Sequence, residues 1–203
     1  MEEGVISGNE SYICDGVQSV GGHDIHCVNR YGHGPLTVEE GLMVSCNDVM
    51  MQIAAQEGKS RFYKYYNMFG FGQKTGIDLP GEADASTLGF TAETAGPADL
   101  ATNSFGQNYN CTMIQMAAAY CSVLNGGSYY EPHVVKQILN ENGSVVKKID
   151  PVLVRETVSQ STSDFIKKAL YDTVNAPKGT GKAAKVEGYE IGGKTGTAEK
   201  LPR

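Results

Sequence analysis

The chain has 203 residues, 40% hydrophobic and 20% charged, with a formal net charge of -6 and a pI near 5.2. That length supports one core, with room for two lobes. The acidic balance and the scatter of Lys and Arg leave no basic face to track phosphates, so no nucleic-acid partner is expected. No apolar run approaches the ~20 residues of a membrane span, and no basic-then-apolar leader follows Met1; any anchor is expected in a longer parent protein.

Residues 1–35 are rich in Gly, Ser, Asn and Asp and read as loops with short strands. His23, His26 and His33 lie here and read as loop histidines making local hydrogen bonds. The five cysteines, Cys14, Cys27, Cys46, Cys111 and Cys121, include no C-x-x-C and sit near no His in a zinc spacing. No metal and no cofactor is therefore expected, and Cys111 and Cys121, in apolar runs, read as small buried hydrophobes.

Thr37-Val38-Glu39-Glu40 is a capping box that opens a helix. Ser45-Cys46-Asn47-Asp48 breaks it, and a second helix is expected over Val49 to Glu57, stopped by Gly58. Ser60 is expected to cap a third, aromatic helix ending at Gly70. Gly70 to Glu82 reads as loop and short strand, and 83–99 as surface loop, followed by a polar turn at Asn103–Gln107. Thr112 caps a helix over Met113 to Leu124 that is apolar nearly all round, which predicts burial. Asn140-Glu141-Asn142-Gly143 is a hairpin turn between Tyr129–Leu139 and Ser144–Ile149. Ser161 starts an amphipathic helix with Phe165, Ile166, Ala169, Leu170 and Val174 on one face. Pro177–Gly181 reads as a flexible connection, and Val186 to Lys200 as a Gly-dense strand.

That last segment carries the chemistry. From Gly188 it fits the phosphate-loop pattern G-x-x-x-x-G-K-[ST], and from Lys194 the K-T-G triplet of penicillin-processing acyl transferases. A phosphate loop needs a helix starting at its Lys-Thr. Gly196 directly after Thr195, and Pro202 soon after, make a poor helix start, so no nucleotide is expected. The K-T-G reading requires an upstream S-x-N, and Ser45-Cys46-Asn47 supplies one at a helix break, where both polar side chains can enter a cleft.

The surrounding residues resemble the transpeptidase domain of class B penicillin-binding proteins. Phe69-Gly70-Phe71-Gly72 with Thr75-Gly76-Ile77-Asp78-Leu79-Pro80-Gly81-Glu82 is similar to that family's F-G-F-G and T-G-I-D-L-P-G-E signature. Ser104-Phe105-Gly106-Gln107, Gln115-Met116 and Asn125-Gly126-Gly127 follow in family order. Gly192-Gly193-Lys194-Thr195-Gly196-Thr197-Ala198-Glu199-Lys200 is similar to its active-site strand. The resemblance also separates Lys74-Thr75-Gly76, which belongs to the T-G-I-D loop, from the K-T-G at Lys194. It is nearest the sporulation and elongation types with S-C-N.

The resemblance implies an α/β (α+β) transpeptidase fold shared with serine β-lactamases, here mainly the helical lobe with part of an antiparallel sheet. It implies catalytic roles for Ser45, Asn47 and Lys194 and substrate binding by Thr195, Gly196 and Thr197. Implied partners are the D-Ala-D-Ala end of a peptidoglycan stem peptide, β-lactams, and cell-wall synthesis proteins of the parent, on the extracytoplasmic face of a bacterial membrane. The family's nucleophile lies in an S-x-x-K that opens a helix upstream of S-x-N. The chain's S-x-x-K, Ser144-Val145-Val146-Lys147, follows a hairpin turn, where a strand sends Ser and Lys to opposite faces. Residues 1–203 therefore read as a partial domain, with the nucleophile helix expected before Met1 and closing strands with a C-terminal helix after Arg203. Such a fragment is expected to be inactive alone. Cys27 and Cys46 are a candidate redox pair beside the cleft. A β-lactam-sensing receptor, a β-lactamase-like domain and a non-catalytic scaffold are the alternative readings.

Overall fold

The opening residues fold as two nested strand pairs. In the computed structural model, which describes residues 1–87 and 89–197, β1 (Ser11–Cys14) pairs antiparallel with β4 (Gly34–Thr37). Between them lies the hairpin of β2 (Val17–Val20) and β3 (His23–His26). Alternation along β1 buries Tyr12 and Cys14 and exposes Ser11 and Ile13, the period-2 pattern of a strand with one face on a core.

Thr37 ends β4 and caps α1 (Val38–Met43), with the reciprocal bonds of a capping box to Glu40. After a break, α2 (Asn47–Glu57) begins two residues earlier than its apolar pattern suggests, because the Cys46 sulfur accepts the Val49 N–H and acts as the N-cap. Gly41 lets α1 lie on α2: a Cβ there would stand 2.7 Å from Val49 Cγ1. The expected Ser60 cap is not seen. Gly58, at φ 79°, closes α2 and directly opens α3 (Lys59–Met68), leaving Ser60 inside the first turn.

The end of the expected loop at 83–99 and the start of the expected turn at Asn103 instead belong to one helix, α4 (Pro97–Ser104). Pro97 sits in its first turn and Asp99 accepts the Gly96 N–H. Gly70–Glu82 contains no strand; Glu82 accepts from the Thr75 and Gly76 N–H groups and the Thr75 hydroxyl, and Asp78 accepts from the Val134 and Val135 N–H groups. Thr112 caps α5 (Met113–Leu124) as its sequence predicts. Burial of α5 follows Gln115, Ala119 and Ser122 instead of its larger apolar residues, and Met113 and Tyr120 are exposed. Cys121 is exposed on the same helix, and Cys111 is half-buried.

β5 (Ser128–Tyr130) pairs with β8 (Leu153–Glu156), and β6 (Gln137–Leu139) with β7 (Val145–Lys148) across the expected Asn-Gly turn. Then α6 (Gln160–Asn175) starts at an N-cap one position before Gln160, Ser159. Every sheet among the described residues is a two-stranded antiparallel pair. One apolar cluster joins Tyr12, Cys14, Cys27, Leu36, Val38, Cys46 and Val49, with Phe165 of α6 against it. A second gathers Tyr63, Tyr66 and Ala95 with Phe71 and Tyr109. The terminal segment is not a strand over 186–197 and pairs with none of the described strands; residues 198–200 lie outside the described residues. It instead runs along α6, where Gly193 N–H donates to Leu170 O (3.0 Å) and Asn175 to Ile191 O (2.9 Å).

Candidate active site

Two walls meet at the break between α1 and α2. There Ser45 takes φ 59°, a left-handed conformation that a non-glycine residue adopts only when its surroundings hold it. The holding bonds are Ser45 N–H to Leu42 O (3.2 Å) and Cys46 N–H to Gly41 O (2.8 Å). The turn aims Ser45 Oγ at the second wall, and Lys194 Nζ donates to it at 2.7 Å. Residues 149 positions apart are thus in direct contact. Although much of the Lys194 side chain is exposed, its ammonium end faces the cleft, where protein replaces hydration water and lowers its pKa.

Asn47 opens α2 and donates its amide to His26 O at 3.2 Å. The next residue, Asp48, is fully buried. Its carboxylate accepts from Asp15 N–H, Gln18 Nε2 and Gln52 Nε2, tying the first turn of α2 to β1 and β2. These bonds provide the rigid floor under the S-x-N turn. Sequence reading passed over Asp48, although it directly follows the motif.

On the opposite wall Thr195 Oγ1 lies 3.2 Å from Thr180 Oγ1, and Thr180 also donates through its hydroxyl and N–H to Met43 O at the end of α1. The Pro177–Gly181 connection is therefore anchored, contrary to its flexible composition. Gly181 N–H donates to Thr173 O (2.9 Å) and Gly179 N–H to Ala176 O (3.0 Å). Gly196 has open space where a Cβ would stand, and Thr197 O accepts from Gln107 Nε2 at 2.8 Å. Lys74-Thr75-Gly76 lies in its own loop, with Thr75 buried against Glu82, and Ser144 and Lys147 lie at an exposed hairpin.

Beneath Lys194 opens an apolar cavity of about 550 Å³, lined by Ile6, Leu42, Ile53, Tyr65, Phe165 and Leu170 among others. Beside the S-x-N turn, Cys27 Sγ lies 3.7 Å from Cys46 Sγ, so the candidate redox pair is in contact as two thiols. The bond between the two sulfurs lowers the Cys27 pKa and, together with burial, raises that of Cys46. Cys14 and His33, neither singled out by sequence spacing as a ligand, complete the same cluster.

An S-x-N turn thus faces a K-T-G segment across a cleft, on a helical lobe with antiparallel strand pairs. The family described as "Penicillin binding protein transpeptidase domain" matches residues 1–203, and the chain belongs to it. It is 40% identical over 193 residues to Stage V sporulation protein D of Bacillus subtilis, covering 95% of this chain and 29% of that protein. With the penicillin-binding protein PbpB of Mycobacterium tuberculosis it shares 30% identity, covering 99% of this chain and 30% of the relative. The solved D,D-transpeptidase domain of a peptidoglycan glycosyltransferase from Eggerthella lenta superposes with a TM-score of 0.88 at 26% identity, covering 98% of this chain and 51% of that one. The chain thus spans under a third of these curated relatives.

Proposed function

We propose that the chain supplies the S-x-N and K-T-G walls of a D,D-transpeptidase site that cross-links peptidoglycan and is acylated by β-lactams. The observation that carries this reading is the 2.7 Å contact of Lys194 Nζ with Ser45 Oγ. Similarity to the E. lenta transpeptidase domain supports it, as does similarity to a penicillin-binding protein of M. tuberculosis solved with aztreonam.

The complete domain contributes a serine from an S-x-x-K helix outside this chain. That serine attacks the penultimate D-Ala carbonyl, D-alanine leaves, and an amine from a neighbouring strand resolves the acyl-enzyme into a cross-link. Ser45 relays the proton towards the leaving group, and Asn47 holds the substrate amide. Lys194 places positive charge near the substrate carboxylate, with Thr195 and Thr197 hydroxyls donating to it. Gly196 keeps the path of the substrate backbone clear. The Thr197 N–H serves as one oxyanion donor, a group worth ~10²–10³ in rate. The apolar cavity beneath Lys194 suits the helix that carries the nucleophile. Because peptidoglycan is assembled outside the cytoplasmic membrane, the site faces that space.

The test is labelling by a fluorescent penicillin, followed by gel and intact mass. The complete protein should gain one adduct, and Lys194→Ala should slow it about 10²-fold. Residues 1–203 alone should gain none. Wild-type labelling of Lys194→Ala, or a stoichiometric adduct on residues 1–203 alone, would sink the assignment.

A second reading rests on the Cys27–Cys46 contact of 3.7 Å. A disulfide requires about 2.05 Å, within reach of a small side-chain rotation. We infer that a disulfide oxidant converts the two thiols to a bond, taking two electrons and two protons and leaving as two thiols, and that this closes the S-x-N turn. Differential alkylation with and without reductant checks it; two freely alkylated thiols after treatment with that oxidant would end the idea.

A further inference from the structure

We propose that Cys14, Cys27, His33 and Cys46 form a structural site for a soft tetrahedral divalent cation, zinc by its ligand set, which pins the S-x-N turn. Their four ligand atoms all lie within 4.8 Å of one another. A tetrahedral zinc with Zn–S near 2.3 Å and Zn–N near 2.0–2.1 Å has S···S edges of about 3.8 Å and S···N edges of about 3.6 Å. The structure has Cys27 Sγ···Cys46 Sγ at 3.7 Å, Cys14 Sγ···His33 Nδ1 at 3.5 Å and Cys27 Sγ···His33 Nδ1 at 3.6 Å. These three distances match edges of such a tetrahedron, and the other three ligand pairs lie within 4.8 Å.

The chemistry of the donors agrees. Three thiolates and one neutral imidazole form the Cys₃His set typical of closed zinc sites, and leave one net negative charge on the complex. A backbone N–H is placed to absorb part of that charge. The Val49 N–H donates to Cys46 Sγ at 3.5 Å. Cys14, Cys27 and Cys46 are 2%, 3% and 0% exposed, so the centre is shielded from water, while half-buried His33 offers an entry path.

The position gives the site its consequence. Cys14 ends β1, Cys27 follows β3, His33 precedes β4, and Cys46 is the N-cap of α2 between Ser45 and Asn47. One cation would join both strand pairs to the turn that carries the two polar groups of the cleft. It would also compete with the Cys27–Cys46 disulfide. A disulfide oxidant that takes two electrons from those thiolates becomes two thiols with two protons, and the cation leaves. The role of pinning the cleft rests on the transpeptidase reading; occupancy of the site does not.

The experiment therefore reads metal, not acylation. Protein purified under reductant with no metal added should carry one zinc per chain by elemental analysis. After removal of zinc, cobalt(II) should give the intense visible absorption of a tetrahedral thiolate complex. Cys14→Ser and His33→Ala lie outside the disulfide pair, and each should weaken binding by about 100-fold or more. Folded wild-type protein with little zinc and no such cobalt spectrum overturns the proposal, as does undiminished binding by the double variant. Should the variants fold poorly, the wild-type cobalt spectrum alone decides. Penicillin labelling, measured separately, tells a failure of this site from a failure of the transpeptidase assignment.

Discussion

Ser45 and Lys194 meet at the point where backbone strain and charge are both concentrated. A left-handed serine costs on the order of 1–2 kcal/mol, and the structure holds it where its hydroxyl faces the lysine. The lowered Lys194 pKa, caused by lost hydration, sets a pH dependence. The cationic form is the one that attracts a carboxylate, and it is lost as pH rises through the folded-state value. Acylation of the complete protein by penicillin should therefore fall on the alkaline side below the ordinary lysine range near 10.5. Lys194→Arg should move that limb upward, since arginine keeps its charge. A pH profile identical in both proteins would rule out Lys194 as its origin. The structure brings Ser45 and Lys194 into contact, and the S-x-N at Ser45–Asn47 and the K-T-G at Lys194 were legible in the sequence because each motif is a short run of fixed spacing. Cys14 and His33 were not, because hairpin pairing, and no local turn, brings them beside Cys27 and Cys46.

At the scale of elements, legibility followed locality. The caps of α1 and α5 depend on four consecutive residues, so Thr37 and Thr112 announced them. The helix α4 is eight residues long and mostly small or polar, and its stability comes from packing on α2 and from Tyr63 Oη donating to Asn103 Oδ1 at 3.1 Å. No window of sequence shows that partner. For the same reason the apolar surface of α5 suggested burial all round, whereas its buried stripe is Gln115, Ala119 and Ser122. The α1–α2 contact gives a prediction of its own. A Cβ on Gly41 would meet Val49 Cγ1 at 2.7 Å and Cβ at 3.0 Å, and Val49 is fully buried with little room to yield. Gly41→Ala should destabilise by ~1–3 kcal/mol, lowering Tm by roughly 2–10 °C, with a thermal melt as the check. An unchanged melt would mean that α1 can slide on α2, and that the S-x-N turn is looser than its hydrogen bonds indicate.

Over the whole molecule, the first residues act as a tie between distant parts. Glu2 accepts from Ser159 N–H (3.0 Å) and Oγ (2.7 Å) and from Thr162 at the start of α6, while Glu3 accepts from Lys64 and Tyr65 of α3. Burial opposes ionisation of Glu2, but the bonds from Thr162 and Ser159 outweigh it and lower its pKa below 4.5. A carboxylate with a depressed folded-state pKa contributes stability above its unfolded pKa, and loses it as pH falls through the folded value. Stability should therefore decline in acid below about pH 4.5, and Glu2→Gln should flatten its share of that decline. The effect at neutral pH should be under ~1 kcal/mol, because the group is largely solvated. Melts from about pH 6 to 3 measure it, and parallel curves for the two proteins would exclude Glu2. The general architecture was readable from motif order along the chain. The path of residues 186–197 was not, since a strand pattern records only the wish for a neighbour, and here α6 takes that place.

Thr180 belongs to neither motif, yet its hydroxyl reaches Met43 O on one wall and Thr195 Oγ1 on the other. The separation of the walls is thereby held by a residue outside both motifs. A flexible peptide can follow a small change in that gap, whereas a rigid fused-ring lactam cannot. Under the proposed function, sequences identical at every S-x-N and K-T-G position would then differ in lactam susceptibility through the Pro177–Gly181 connection alone.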